Sequence, residues 1–355
     1  MQLELLNQLN FRNLVSSGLR FLPGLNLITG HNGSGKSNLL AACYLSLTAD
    51  LPFGRIADAI RLGEDEAFVS SRFSHADGSS IVEIGLAPGR RLVRLDGNTV
   101  RSEQLAAVAA AVLMTPEDAQ LVHGSPAGRR AWLDSLLGRI SQRYARLARE
   151  YARVLTQRNA LLRSGQPDSS LKVWTDQLVA AGTVIEELRV RALVRIRELA
   201  AEAYLEMTSG STHPERRELA VTLSSEGGPG LQEALDATAR EERIRGVTVV
   251  GPHRADLGLA VGGHSVQAFG SRGEARTAAL ALKVAEYRLL SERHGEEPVL
   301  LLDDFTAELD PERRSFLLSL AQSVPQVLAT ATESPVGLDA VQHLHIEAGT
   351  LRHAG

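Results

Sequence analysis

The stretch Leu25-Asn26-Leu27-Ile28-Thr29-Gly30-His31-Asn32-Gly33-Ser34-Gly35-Lys36-Ser37-Asn38-Leu39-Leu40 decides how this chain is read. An apolar run of strand character passes into a glycine-rich turn and then into a helix carrying Leu39, Leu40, Cys43, Tyr44 and Leu47. Gly30 to Ser37 fits the P-loop pattern, and it lies where the physics requires, after a strand and opening a helix. Glycines let successive N–H groups of Gly30, His31, Asn32, Gly33, Ser34 and Gly35 curl toward one anion, with Asn38 just behind. Lys36 reaches β- and γ-phosphates, and the Ser37 hydroxyl ligates Mg²⁺. An ordinary glycine-rich turn is the competing account, and the order strand, loop, lysine, hydroxyl weighs against it.

Far along the chain, Pro298-Val299-Leu300-Leu301-Leu302-Asp303-Asp304 has the form of a Walker B strand. Four apolar residues deliver the Asp303 carboxylate to the strand's end beside the metal, and Asp304 takes the general-base position, polarising an attacking water. Lys36 and Asp304 are the expected catalytic groups. Shortly before, Ser271-Arg272-Gly273-Glu274 heads a long helix, and a capping box accounts for its serine and glutamate. Asp310-Pro311 after the strand is likewise an N-cap with proline at the first helical position.

The rest of the composition sets limits. With 355 residues, 44% hydrophobic and 23% charged, the chain supplies core for about two domains and is not mainly disordered. A net charge of −4 leaves no global field for a polyanion, so a nucleic-acid surface must be a local patch. Of 38 basic residues only Lys36, Lys172 and Lys283 are lysine, so arginine at large says little. The single cysteine, Cys43, forms no internal disulfide or metal cluster, which implies a reducing, cytoplasmic setting. No export leader or membrane span is read, since the longest weakly polar run, Leu105 to Met114, is too short.

Around the P-loop the pattern predicts an α/β head. Strands are expected near Leu3–Leu5 and Leu25–Thr29, and an antiparallel meander over 67–100, turning at Asp77-Gly78, Pro88-Gly89 and Asp96-Gly97. From Ser141 to about Ser209 the period becomes helical. Tyr144, Leu147, Tyr151, Val154 and Leu161 form one stripe, and Leu178, Ala181, Ile185, Leu188, Ala192, Ile196 and Leu199 another, giving a hairpin of roughly 25 residues per arm. The α/β pattern resumes with Val247–Val250, a helix over 272–293, strands at 299–302 and 327–330, a helix over 311–322, and a closing hairpin over 344–352. The expected division is a head of 1–140 and 210–355 with an inserted lobe of 141–209.

P-loop, a serine-led helix start and a Walker B strand in that order resemble the ABC-type ATPases. More specifically, the chain resembles the RecF family, bacterial replication and recombinational repair ATPases related to the heads of Rad50 and SMC proteins. The resemblance spans nearly the whole length. Its carriers are Phe11-Arg12-Asn13-Leu14, the P-loop, Thr115-Pro116-Glu117-Asp118, Gly124-Ser125-Pro126, Arg129-Arg130-Ala131-Trp132-Leu133-Asp134, Gly251-Pro252-His253-Arg254-Ala255-Asp256, Ser271 to Glu274, and Leu302 to Asp310. It implies an ABC-ATPase-like head of mixed sheet with an inserted helical hairpin, ATP and Mg²⁺ as ligands, and Arg12 and Asn13 beside the nucleotide. It further implies that Ser271, Arg272, Gly273, Glu274 and Asp310 act across an ATP-dependent homodimer. The implied setting is double-stranded and gapped DNA, RecR and RecO as partners, and loading of RecA, away from membranes.

Three departures from the wider ABC pattern imply a slow switch: Ser-Arg-Gly-Glu in the signature, Asp304 at the usual glutamate position, and Thr330-Ala331-Thr332 where many ABC proteins carry histidine. Glu117, His253 and Arg254 receive no role. For DNA, Arg143, Arg146, Arg149 and Arg153 share an arc of about 120° on one helix, at about 100° per residue, and could follow phosphates. A solvated charged face explains the same stripe. Two rival functions share the P-loop, a transporter nucleotide-binding domain and a monomeric phosphotransferase.

Overall fold

Parallel strands buried on both faces read as continuous apolar runs, and the runs around the P-loop do so. In the computed structural model, which describes residues 1–15, 17–165, 167–210, 217–224, 230–304, 311–334 and 339–353, six strands form a mixed sheet. Their order is Thr350–His353, Gln342–Glu347, Gly24–Thr29, Gln326–Ala331, Val299–Leu302, Ala111–Met114. The first pair is antiparallel and the rest are parallel. The register pairs Leu302 with Ala329, Ala329 with Leu27, and Ala331 with Thr29. The ends of the P-loop strand, the Asp303 strand and the Thr330 strand are thereby level, at the carboxyl edge where α/β sheets bind ligands.

A second, antiparallel sheet runs Ser17–Arg20, Gln2–Leu9, Ala67–His75, Gly78–Ala87, Arg90–Leu95, Asn98–Thr99. This is the expected meander, with Gln2–Leu9 joining it. The Lys36–Thr48 helix packs against strands of both sheets and is buried on every side from Leu39 to Thr48, which explains its lack of a polar face. Cys43 lies inside this core, where burial pushes its thiol up and leaves it unreactive. Met1–Asp118, Ala203–Thr212 and Leu280–Gly355 make up this compact unit.

The second unit comprises Ala119–Glu202 and His213–Ala279, and so takes in more of the chain than residues 141–209. Its helices include Pro126–Ile140, Gln142–Arg163, Leu231–Arg245 and the Asp168–Thr208 helix as far as Glu202. A three-stranded sheet, His264–Ser265, Asp256–Val261, Leu219–Ser224, completes it. The two long helices have 22 and 41 residues rather than equal arms. On the first, the buried positions are Tyr144, Tyr151, Val154, Arg158 and Leu162. A buried arginine thus stands within the stripe, and Leu162 replaces Leu161.

Ion pairs built on three buried arginines bind this unit. Arg129 grips both Asp256 oxygens at 2.7 and 2.8 Å. Arg158 meets Glu242 at 2.7 Å and Thr248 Oγ1 at 2.7 Å. Arg189 donates to Asp134, to Tyr144 Oη and to the Pro252 carbonyl. Arg158 and Glu242 are buried on both sides, and removing one partner of such a pair costs about 3–5 kcal/mol, because it strands a buried charge. The expected strand at Val247–Val250 is absent. There the Thr248 N–H donates to Asn159 and the Val249 N–H to Glu242, so side chains take the bonds a ladder would have used.

Candidate functional site

Three glycines shape the phosphate loop. Gly33 and Gly35 have φ of 78° and 117°, a region that side chains rarely enter. A Cβ on Gly30 would lie 2.4 Å from the Ile346 carbonyl and 2.8 Å from Ser34 Oγ, so the last strands crowd the loop from behind. Gly35 caps the Lys36–Thr48 helix, whose first N–H groups face the loop. Lys36 is 7% exposed and donates from Nζ to the carbonyls of Gly30 at 2.6 Å and His31 at 3.1 Å. Ser34 Oγ is buried with no hydrogen-bond partner, a donor suited to an anion. His31, Asn32, Gly33 and Ser37 are exposed.

Arg12 and Asn13 stand at this loop. Asn13 Nδ2 donates to the Gly33 carbonyl at 3.3 Å, and Asn38 Nδ2 donates to Asn13 Oδ1 at 2.8 Å. Arg12 Nη1 donates to Asn38 Oδ1 at 2.9 Å and Nη2 to the Phe53 carbonyl at 2.8 Å. Its guanidinium also lies over the Phe53 ring, 4.4 Å from the centroid. Burial lowers the Arg12 pKa and Asp58 pulls the other way. The Phe53 stack has no local signal in the sequence, because a separate loop brings the ring in.

At the neighbouring strand end, Asp303 is 8% exposed. Its Oδ1 accepts from Thr330 Oγ1 at 2.6 Å, and it is hydrogen-bonded to Ser37. Burial raises its pKa, against the hydrogen bonds from Thr330 and Ser37, while Glu117 and Asp304 push it up further. Ser37 and Asp303 are therefore together, and Glu117 faces the same acid. Asp118 turns back to accept from the Thr115 N–H at 2.7 Å. Its carboxyl is pushed up to about 6 by burial, with Lys283 pulling it down.

A hydroxyl and one buried carboxylate are hard oxygen donors. Among the described residues no group of three acids, histidines or cysteines gathers to cage a cation. That donor set fits Mg²⁺, which binds through one or two protein oxygens and fills its octahedron with water and phosphate.

Asp304 is half-buried, with φ of 43°, and its N–H donates to Thr330 Oγ1 at 2.9 Å. Thr330 itself, on a strand far away in sequence, is the contact that sequence reasoning left without a role. Ser271 is exposed at the start of the Arg272–His294 helix. Its N–H donates to Glu274 Oε2 at 2.8 Å and its Oγ accepts from the Glu274 N–H at 3.2 Å, the predicted capping box. The Ser271 hydroxyl proton is not used in that pair. Arg272 is exposed, and the Gly273 carbonyl accepts from Thr277 at 2.9 Å. Asp310 lies outside the described residues.

His253 proves structural. It bonds Tyr151 Oη at 2.8 Å and the Thr248 carbonyl at 3.1 Å, and burial pushes its pKa down to about 4. With Arg129, Asp134 and Asp256 it belongs to the interior of the second unit. Arg143, Arg146, Arg149 and Arg153 lie away from the buried stripe of Tyr144 and Tyr151, and all four are exposed.

Residues 2–349 match the family model described as the RecF/RecN/SMC N terminal domain. The chain is 47% identical, over 98% of its own length and 94% of the relative's, to the DNA replication and repair protein RecF of Deinococcus radiodurans. The chain belongs to the RecF family. RecF of Deinococcus deserti is 48% identical over 95% of this chain and 92% of that one. Among solved structures, a recombination mediator protein RecF bound to ATP, described within the RecFOR pathway, superposes with a TM-score of 0.91 at 26% identity, covering 100% of this chain and 98% of the other. An Smc head bound to the C-winged helix domain of ScpA shares the fold, with a TM-score of 0.56 at 17% identity over 99% of this chain and 96% of that one. This RecF-family chain is thus a DNA replication and repair protein with an ABC-type ATPase head. Among the described residues no helix is long and apolar enough to cross a membrane.

Proposed function

We propose that ATP, with Mg²⁺ at Ser37 and Asp303, joins two copies of this chain, and that the closed pair holds duplex or gapped DNA until slow hydrolysis releases it. Each copy offers Ser271 to Glu274, and Asp310, to the nucleotide of the other. The observation that carries this reading is the exposed, capped helix start at Ser271. Its hydroxyl keeps a proton to donate, at a helix N-terminus open to solvent. A γ-phosphate held by both copies supplies donors from each, and its loss removes them.

Within one copy, Lys36 leaves the Gly30 and His31 carbonyls to meet the β- and γ-phosphates, while Ser34 Oγ and the loop N–H groups take the remaining oxygens. Ser37 and Asp303 would hold Mg²⁺, which would supply charge neutralisation at the phosphates. Asp304 accepts the proton of a water whose oxygen bonds to the γ-phosphorus. The bond from that phosphorus to the bridging oxygen breaks, and ADP departs with the electron pair. An aspartate is one carbon shorter than the glutamate common in ABC proteins, which favours slow turnover. The weak, DNA-stimulated ATPase acts as a switch rather than an engine. The RecFOR description of the ATP-bound relative supports RecR, RecO and RecA loading as the setting.

The test is fluorescence anisotropy of a labelled duplex with the Asp304→Asn protein. Affinity should rise at least tenfold with ATP over ADP. Equal affinity in the two nucleotides would remove the link between nucleotide state and DNA.

A further inference from the structure

We propose that Thr330 is the positioning residue that sets both acids of the ATPase site. The inference rests on the assignment of Asp304 as the water-polarising group. One fully buried hydroxyl bridges the two successive residues that follow another strand. It donates to Asp303 Oδ1 at 2.6 Å and accepts from the Asp304 N–H at 2.9 Å. A hydroxyl has one proton and two lone pairs, so this arrangement has a fixed direction. The proton goes to the carboxylate and a lone pair goes to the amide.

Each bond has a separate consequence. The bond to Asp303 occupies one carboxylate oxygen and fixes the carboxylate's rotation beside Ser37. The bond to Asp304 secures a backbone at φ 43°, a region non-glycine residues occupy at an energetic cost. That left-handed turn aims the Asp304 side chain differently from an extended continuation of the Val299–Leu302 strand. The parallel register makes the bridge possible, because Leu302 pairs with Ala329 and so sets Asp303 and Asp304 against Thr330. Thr330 thereby assists at the strand end where many ABC proteins carry histidine, through the acids rather than by touching phosphate.

Three variants separate the hydroxyl from the volume it fills. Thr330→Val keeps the shape and removes the hydroxyl, Thr330→Ala removes both, and Thr330→Ser keeps the hydroxyl with one methyl fewer. The readouts are the single-turnover ATP hydrolysis rate and the equilibrium affinity for ATP. The Val and Ala variants should lose about 100-fold in rate, the scale of a misplacement of about 1 Å in a reacting group, with ATP affinity within about threefold of the parent. Ser should stay within about threefold in both. A Ser variant as slow as Ala, a Val or Ala variant as fast as the parent, or an affinity loss matching the rate loss would each overturn the proposal. If Val does not fold, the Ser and Ala pair makes the same distinction. Asp304→Asn distinguishes the two levels: full hydrolysis by that variant defeats the Asp304 assignment, whereas a dead Asp304→Asn beside a fully active Thr330→Ala defeats Thr330 alone.

Discussion

Lys36 donates to two carbonyls of its own loop, and the proposed ATP pose would exchange those bonds for phosphate oxygens. Charge-assisted hydrogen bonds contribute about 1.5–3 kcal/mol each, so Lys36→Ala should weaken ATP binding by about 10- to 100-fold, measured by titration calorimetry. An unchanged affinity would deny Lys36 its phosphate. His253 makes a different prediction. It is held neutral, with a pKa of about 4 against an ordinary value of 6.5, so the unfolded chain takes a proton that the folded chain refuses. Its contribution is present above about pH 6.5 and is lost as pH falls toward 4, at up to about 1.4 kcal/mol per pH unit. Urea midpoints measured from pH 7.5 to 4.5 should fall less steeply for His253→Gln than for the parent. At this scale the sequence was legible where geometry follows local order, as in the Gly30–Ser37 loop and the Asp303-Asp304 pair. Thr330 and Phe53 were illegible because strand register and a distant loop, rather than spacing, bring them in.

The apolar strands and the Lys36–Thr48 helix could be read directly, since full burial leaves uninterrupted hydrophobic runs. The second unit was harder. Its helices bury Arg158 and Arg189 among Tyr144, Tyr151 and Leu162, so charge sits where periodicity expects hydrocarbon. Val247–Val250 has strand composition, yet its amides bond to Asn159 and Glu242 side chains. The family motifs at 129–134 and 251–256 turn out to hold this interior, and the opposite face of the Gln142–Arg163 helix is exposed. Replacing Arg143, Arg146, Arg149 and Arg153 with glutamine tests whether that face meets DNA. Each phosphate neutralised contributes about 0.9 to the slope of log affinity against log salt, so the slope should flatten by about 2–4. An unchanged slope returns the stripe to an ordinary solvated face.

For the whole molecule, a net charge of −4 means that the proposed grip on DNA falls to a local surface rather than to a general field. Under the proposed pairing of two copies, the bound nucleotide would decide when that surface is complete. In the proposed cycle ATP, and not ADP, joins identical heads through the Ser271 helix start. The most direct measurement is the molar mass of the Asp304→Asn protein by light scattering during size-exclusion chromatography, with ATP and with ADP, alone and combined with Ser271→Arg. The account predicts twice the monomer mass with ATP, monomer with ADP, and monomer in both for the double variant, whose single-copy ATP affinity stays intact. A monomer throughout, or a dimer indifferent to nucleotide and to Ser271→Arg, would contradict it.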